Sequence, residues 1–505
     1  MIGRDCKLNR EPPAGPTAFM PADGAEELPV GGQSVRSSEE AGNDRGAKGR
    51  RQVEGEREQP TETNTGASGQ SPKQAGETPS QRDWVERCVW TERRLQRLAQ
   101  SQEQTVWFSL WDKVWPAANL NQAVLEVILK RGSAGVDGQT TRQFSEQWTP
   151  EVQRLPTELR TGQYQPHPAK RVWIDKPGST EQRPLGIPAV RDRVVQAALR
   201  HVLEPIFERD FAAHSYGFRP GKSAQQALER VENLLNDGHP WIVDADLKGY
   251  FDSIPQTRLM ELVGRRIADG RVKDLRWQYL AAGVMESGKG WQPTGSGTPQ
   301  GSVISPLLAN LHLNPLDHEM ARRGWSMVRY ADDFIVLCRN REDAQRALEQ
   351  IQDWVREAGL QLHPTKTRLV DASLPGGFDF LGYHFERYRE GQGKKWPRKK
   401  SLQQLRDRIR AKTSRWRAGS MEAIIAELNP TLKGWYGYFR HSIPSTFQAV
   451  DGWVRRRLRS IQRCRWKRKG LSRGRENTEM TNQWFAERGL FSMALACAPK
   501  LQSHS

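Results

Sequence analysis

Polar and apolar positions divide this chain near residue 80. Before that point the only aromatic residue is Phe19, set among Gly, Glu, Gln, Ser, Thr and Pro. Such a composition buries too little apolar surface to offset the cost of ordering, so residues 1–80 are expected to be a disordered, low-complexity segment. After it come Trp84, Trp90, Trp107, Phe108, Trp111 and Trp115. Trp107, Trp111 and Trp115 fall at i, i+4 and i+8, which predicts one apolar helical face packed in a core. Residues 122–130 continue as helix, and the Gly-rich stretch 132–138 ends it with turn chemistry. The pattern then turns β-like at 171–174, passes a turn at 175–178 and resumes at 183–188. Apolar residues return at helical spacing over 192–209 and 224–235. Trp241-Ile242-Val243-Asp244-Ala245-Asp246 is a strand ending in acid. Met327-Val328 and Phe334 to Leu337 flank Tyr330-Ala331-Asp332-Asp333, a hairpin with two carboxylates at its tip. That order predicts an α+β fold, a sheet with helices packed on one face. Beyond Arg387 the chain is expected to be helical. Leu428, Leu432, Trp435 and Phe439 form one apolar stripe, and Val454, Leu458 and Ile461 another, with Arg455, Arg456, Arg459 and Arg463 on other faces.

Charge sharpens that last segment. The 505 residues carry a formal net charge of +18, yet residues 394–475 hold 24 Lys and Arg against four acids (Asp407, Glu422, Glu427 and Asp451). This local +20 exceeds the total, so the rest of the chain is slightly acidic and the C-terminal third presents a polyanion-binding surface. The five cysteines, Cys6, Cys88, Cys338, Cys464 and Cys497, form no Cys-x-x-Cys pair, so neither zinc nor a disulfide framework is expected and a reducing compartment is the default. No apolar run approaches the ~20 residues of a membrane helix. Gly295-Ser296-Gly297 lacks the dinucleotide-binding spacing, Gly221-Lys222-Ser223 lacks the earlier Walker glycine, and His318-Glu319 lacks the second zincin histidine.

Two acidic strand ends carry the chemistry. Hard cations such as Mg²⁺ take oxygen ligands, and two-ion phosphoryl transfer needs carboxylates from separate segments bridging roughly 3.5–4 Å. The strand end at Asp246 and the tip of Asp332-Asp333 supply such carboxylates. Asp244 shares the face of Asp246 one pleat deeper and Asp252 lies beyond the strand, so periodicity alone does not choose among them.

The ordered blocks Arg183-Pro184-Leu185-Gly186-Ile187-Pro188, Ser215-Tyr216-Gly217-Phe218-Arg219-Pro220, Asp246-Leu247-Lys248-Gly249-Tyr250-Phe251-Asp252, Gly297-Thr298-Pro299-Gln300-Gly301, Tyr330-Ala331-Asp332-Asp333, Gly359-Leu360 with Lys366, and Phe380-Leu381-Gly382-Tyr383 decide it. Over about residues 84–495 the chain resembles the reverse transcriptases encoded by group II introns, of the bacterial type lacking an endonuclease. The resemblance implies right-hand polymerase fingers and palm with an antiparallel palm sheet, then an all-α basic thumb and maturase region. Its implied divisions are a helical N-terminal extension at 81–140, fingers and palm at 141–385, thumb and RNA-binding region at 386–480, and a C-terminal tail at 481–505 without an endonuclease domain.

The same resemblance implies roles for single residues. Asp246, Asp332 and Asp333 are the catalytic acids. Asp246, Asp332 and the Leu247 carbonyl would ligate two Mg²⁺ ions, with Mn²⁺ as a substitute, and Asp333 would shape the field. Lys176 and Arg183, Phe251, Gln300, Gly301 and Lys366 would contact the nucleotide, with the Phe251 ring against the sugar selecting dNTPs. Arg455, Arg456, Arg457, Arg459, Arg463 and Lys467 would bind intron RNA, while Trp435 and Trp453 pack helices. The expected partners are intron RNA, a DNA primer or target and dNTPs, in a bacterial cytoplasmic ribonucleoprotein or on the nucleoid. Competing readings are a reverse transcriptase serving a defence system, an RNA-dependent RNA polymerase, and a noncatalytic RNA-binding splicing factor.

Overall fold

The computed structural model describes residues 84–102, 105–175, 182–298, 300–387, 392–467 and 475–498. The segment 1–80 expected to be disordered, Lys176 and Pro299 lie outside the described residues. The strands are β1 (Ala169–Asp175), β2 (Gln182–Ile187), β3 (Trp241–Asp246), β4 (Val284–Glu286), β5 (Gly290–Gln292), β6 (Ser326–Tyr330), β7 (Asp333–Cys338), β8 (Arg368–Asp371), β9 (Phe378–Phe380), β10 (Tyr383–Arg387) and β11 (Gly393–Pro397). They form three sheets among the described residues, ordered β2-β1-β4-β5, β6-β7-β3-β8 and β11-β10-β9. The second, central sheet is antiparallel throughout. In the first, β1 pairs antiparallel with β2 and parallel with β4.

The central sheet is covered on both faces, where the sequence pattern predicts helices on one. Val243, Ala245, Phe334 and Val336 join a core with Leu259, Leu307 and Ile351 from the helices Gln256–Gly264, Ser305–Arg322 and Arg341–Glu357. Ile242, Ile335 and Leu337 face the other way, onto Leu228 and Val231 of the helix Ala224–Asn236 and onto Phe378 and Phe385 of the third sheet. Strands buried on both faces read as unbroken apolar runs, which is why Phe334-Ile335-Val336-Leu337 shows no alternation.

Two other expectations change. Trp107, Trp111 and Trp115 all pack against the core, but not along one helix. The helix there is the single turn Trp111–Val114. Trp107 instead exchanges backbone hydrogen bonds with Arg266 and Ala268, and Asp269 accepts the amides of Leu110 and Trp111 at 2.8 and 2.9 Å. A distant carboxylate thus starts the helix four residues after the first tryptophan. At the other end, β11 carries the sheet past Arg387 before the first basic helix, Lys399–Lys412.

The helices Met421–Phe439 and Pro444–Arg465 bury the expected stripes of Leu428, Leu432, Val454, Leu458 and Ile461, and Trp435 and Trp453 pack against that cluster. Phe485 and Met493 enter the same cluster, and Asn429 donates to the Gly489 carbonyl at 2.8 Å. Residues 482–497 are therefore part of the helical core, not a free tail. No helix among the described residues is long and apolar enough to cross a membrane.

Candidate active site

The two acidic strand ends meet in the central sheet. β3 and β7 pair so that Asp246 lies directly opposite Asp333, and Tyr330 pairs with Asp333 across a two-residue turn of Ala331 and Asp332. Ala331 has φ 61°, a left-handed conformation that a Cβ disfavours, so neighbours must hold it. They do so from beneath. The Arg329 guanidinium, fully buried, donates to the Ala331 carbonyl at 2.8 Å and to Asn310 Oδ1 at 2.9 Å, and pairs with the fully buried Asp317 carboxylate through Nε at 2.7 Å and through Nη2. Gly217 presses against the same turn: a Cβ there would lie 2.2 Å from the Ala331 amide nitrogen. Asn310 Nδ2 donates to the Gly217 carbonyl at 2.8 Å, linking both supports to the helix Ser305–Arg322.

The acids crowd one another. Burial, then the charge of Asp246, pushes the Asp332 carboxyl above its ordinary value, with Arg329 and Lys366 opposing. Desolvation first, then Asp244, Asp332 and Asp246, pushes Asp333 up as well. Its side chain is exposed at the end of the sheet, where solvent screens these repulsions. Repulsion between carboxylates that share a site is relieved by a cation.

The backbone offers a third oxygen. The Asp246 carbonyl accepts from His363 N at 2.7 Å, and Lys248 N donates to the Gln361 carbonyl at 2.9 Å. In an antiparallel pair this pattern turns the intervening Leu247 carbonyl to the opposite edge, toward the Tyr330–Asp333 turn. Among the described residues no group of three His, Cys, Asp or Glu side chains is arranged for a metal. Two carboxylates and a carbonyl nevertheless fit Mg²⁺, which keeps waters and takes substrate phosphates to complete its shell.

Other expected site residues lie at varying removes. Lys366 Nζ donates to Asp246 Oδ2 at 2.7 Å, so the structure brings it to the acid pair. Asp244, one pleat deeper, is paired with Arg368 at 3.1 Å. Asp252 rises in pKa through burial, opposed by Arg171. Phe251 is half-buried in the short helix Tyr250–Ser253. The loop after β5 clamps that turn: Thr298 N donates to the Phe251 carbonyl at 2.8 Å, and a Cβ on Gly297 would meet Asp252 Cα at 2.7 Å. The Gln300 carbonyl accepts from Gly186 N at 2.6 Å, and Gly301, with φ 111°, would bring a Cβ within 2.5 Å of the Gly186 carbonyl. The close approach that requires glycine at 301 is made by β2. Arg183 is exposed on β2 opposite Ile174.

The basic C-terminal residues divide in two. Arg457 donates to the Thr413 carbonyl at 2.6 Å, Arg459 to the Met480 carbonyl at 2.6 and 2.9 Å, and Arg463 to Glu476, a fully buried acid. These three guanidiniums tie helices together. Arg456 and Lys467 are exposed, and Arg455 is half-buried. The sequence reading missed Asp317, Arg329 and Asn310 as supports of the hairpin. A base at 329, set beside Met327 and Val328 in an apolar strand, was the available signal.

A model of the reverse transcriptase (RNA-dependent DNA polymerase) domain matches residues 174–385, and one of the group II intron maturase-specific domain matches residues 402–479. Protein YkfC of Escherichia coli (strain K12) is 36% identical over 296 residues, 51% of this chain and 77% of that protein. The group II intron-encoded protein LtrA of Lactococcus lactis subsp. cremoris is 31% identical over 324 residues, 51% of this chain. The match spans only 53% of LtrA's own length. With the acid pair and the ordered blocks in place, the chain belongs to the family of group II intron-encoded reverse transcriptases and maturases.

Proposed function

We propose that this protein copies group II intron RNA into DNA at the Asp246 and Asp332 site and binds the same RNA to assist its splicing and mobility. The observation that carries the reading is the convergence of Asp246, the Leu247 carbonyl and the Tyr330–Asp333 turn on one end of the antiparallel sheet. In this reading residues 141–385 are fingers and palm, residues 386–480 are thumb and maturase region, and 81–140 is an N-terminal extension. Asp246, Asp332 and the Leu247 carbonyl hold the ions, two Mg²⁺ or Mn²⁺ in their place. Bound there, such ions acidify the primer hydroxyl and neutralise charge on the departing pyrophosphate. Asp333 adds negative field without ligating. Arg183, exposed on β2, contacts the triphosphate together with Lys176, and Lys366 supplies positive charge beside Asp246.

In this reading the Phe251 ring lies against the sugar of the incoming nucleotide and leaves no room for a 2′ hydroxyl. Phe251→Ala is expected to keep dNTP incorporation and to reduce discrimination against rNTPs by about 10- to 100-fold, the scale of pocket-shape selection. Parallel single-nucleotide extensions with dNTP and rNTP measure it. Unchanged discrimination would remove Phe251 from the sugar contact and favour the RNA polymerase reading if the parent also uses rNTPs well. The primary reading is tested by scoring the parent and Asp246→Asn for primer extension on an RNA template and for stimulation of intron splicing. Extension lost only in the variant, with splicing stimulation kept, is expected. A parent that assists splicing but copies no RNA is a noncatalytic splicing factor.

A further inference from the structure

The bend between the helices Lys399–Lys412 and Met421–Phe439 displays Trp416 with 86% of its surface exposed. Its neighbours in sequence are Arg415 and Arg417. An indole left in water forfeits the apolar burial that orders the surrounding cluster. The bend is tied to its neighbours on both sides. Arg457 donates to the Thr413 hydroxyl and carbonyl at 3.2 and 2.6 Å, and Arg465 donates to the Arg417 and Gly419 carbonyls at 3.2 and 2.5 Å. Within the bend, Arg417 N donates to the Ser414 carbonyl at 3.1 Å. Both anchoring arginines come from the helix Pro444–Arg465, so the bend is fixed against that helix's C-terminal end. Trp466 and Lys467 follow directly, with Trp466 37% exposed.

The result is a rigid basic surface from which an aromatic ring projects. A bare cationic patch would hold phosphates alone, whereas a ring held among cations also matches the flat face of an unpaired base. Paired bases are stacked on one another and offer a ring no such face along the helix. We infer that Trp416 is a stacking platform for unpaired bases of the RNA, flanked by Arg415 and Lys467 on its phosphates. This rests on the RNA-binding reading above and names a contact within it. The positions that tie the bend down, Arg457 and Arg465, then act as positioning residues.

Full-length protein is titrated with two RNA probes over a range of salt, a stem-loop carrying 2-aminopurine in its loop and a blunt duplex of the same stem. Trp416→Ala is expected to weaken stem-loop binding by about 5- to 150-fold, the effect of losing one stacked base. Duplex binding and the slope of log K against log salt stay as in the parent, because no phosphate contact is lost. Trp416→Phe restores most of the affinity and of the 2-aminopurine quenching. Arg415→Gln lowers the salt slope by about 0.7 to 0.9 instead. Equal stem-loop affinity for parent and Trp416→Ala overturns the proposal. So does a change confined to self-association, which would make the bend a contact between copies. Primer extension by the parent is scored alongside. A parent that binds the stem-loop through Trp416 but extends nothing refutes the polymerase reading and leaves the platform standing.

Discussion

Asp332→Asn is expected to slow DNA synthesis on an RNA template by about a thousandfold or more, whereas Asp333→Asn keeps a substantial fraction of activity. On the proposed reading the first change removes a charged oxygen ligand of the ions, worth several kcal/mol of transition-state stabilisation. The second removes only a neighbouring charge. Asp333 lies opposite Asp246 in the sheet, with its carboxyl pushed up by burial and by Asp244, Asp332 and Asp246. A group held in that crowd relieves repulsion when neutralised, so the loss from Asp333→Asn is limited to the field it lends the ions. Single-turnover extension rates for both variants, with thermal unfolding to confirm folding, make the comparison. Equal losses at the two positions would refute this division of labour.

Asp317→Asn is expected to lower stability and activity together. Asp317 and Arg329 are both fully buried, and Arg329 alone connects the pair to the Ala331 carbonyl. Removing one member strands a charge in the interior, at a cost of about 3–5 kcal/mol. Replacing both with apolar residues, Asp317→Leu with Arg329→Met, is expected to recover much of the stability, since well-packed apolar pairs commonly match buried ion pairs. Activity should stay low, because the Ala331 carbonyl then loses its guanidinium donor and the left-handed turn keeps only the Gly217 contact. Denaturant unfolding and extension rates of the single and double variants separate the two effects. A double variant that regains both would show that Arg329 serves folding alone.

The acid pair was legible because chemistry confined it: carboxylates at strand ends, in order with other blocks, point to one site. The strands holding it were legible for the same reason, since Phe334-Ile335-Val336-Leu337 has few other fates. The second covered face of the sheet was not, because an unbroken apolar run shows that both sides are buried without naming what buries them. The Trp107 to Trp115 stripe misled because its spacing is helical while Asp269, more than a hundred residues away, sets where the helix starts. The arginines of the helix Pro444–Arg465 could not be sorted from sequence either. Arg456 and Arg457 are adjacent and alike, and only the position of Thr413 directs one inward. Long-range partners decide these cases, and local pattern does not encode them.

The central claim is that Asp246 and Asp332 form one metal-dependent site for RNA-templated DNA synthesis. The direct test is the rate of DNA primer extension on an intron RNA template, followed against free Mg²⁺ for the parent and Asp246→Asn. The account predicts complementary DNA from the parent, at a rate that rises with Mg²⁺ to saturation and stops on chelation, and no product from the variant. Extension that is independent of divalent metal, or equal in parent and variant, would contradict it.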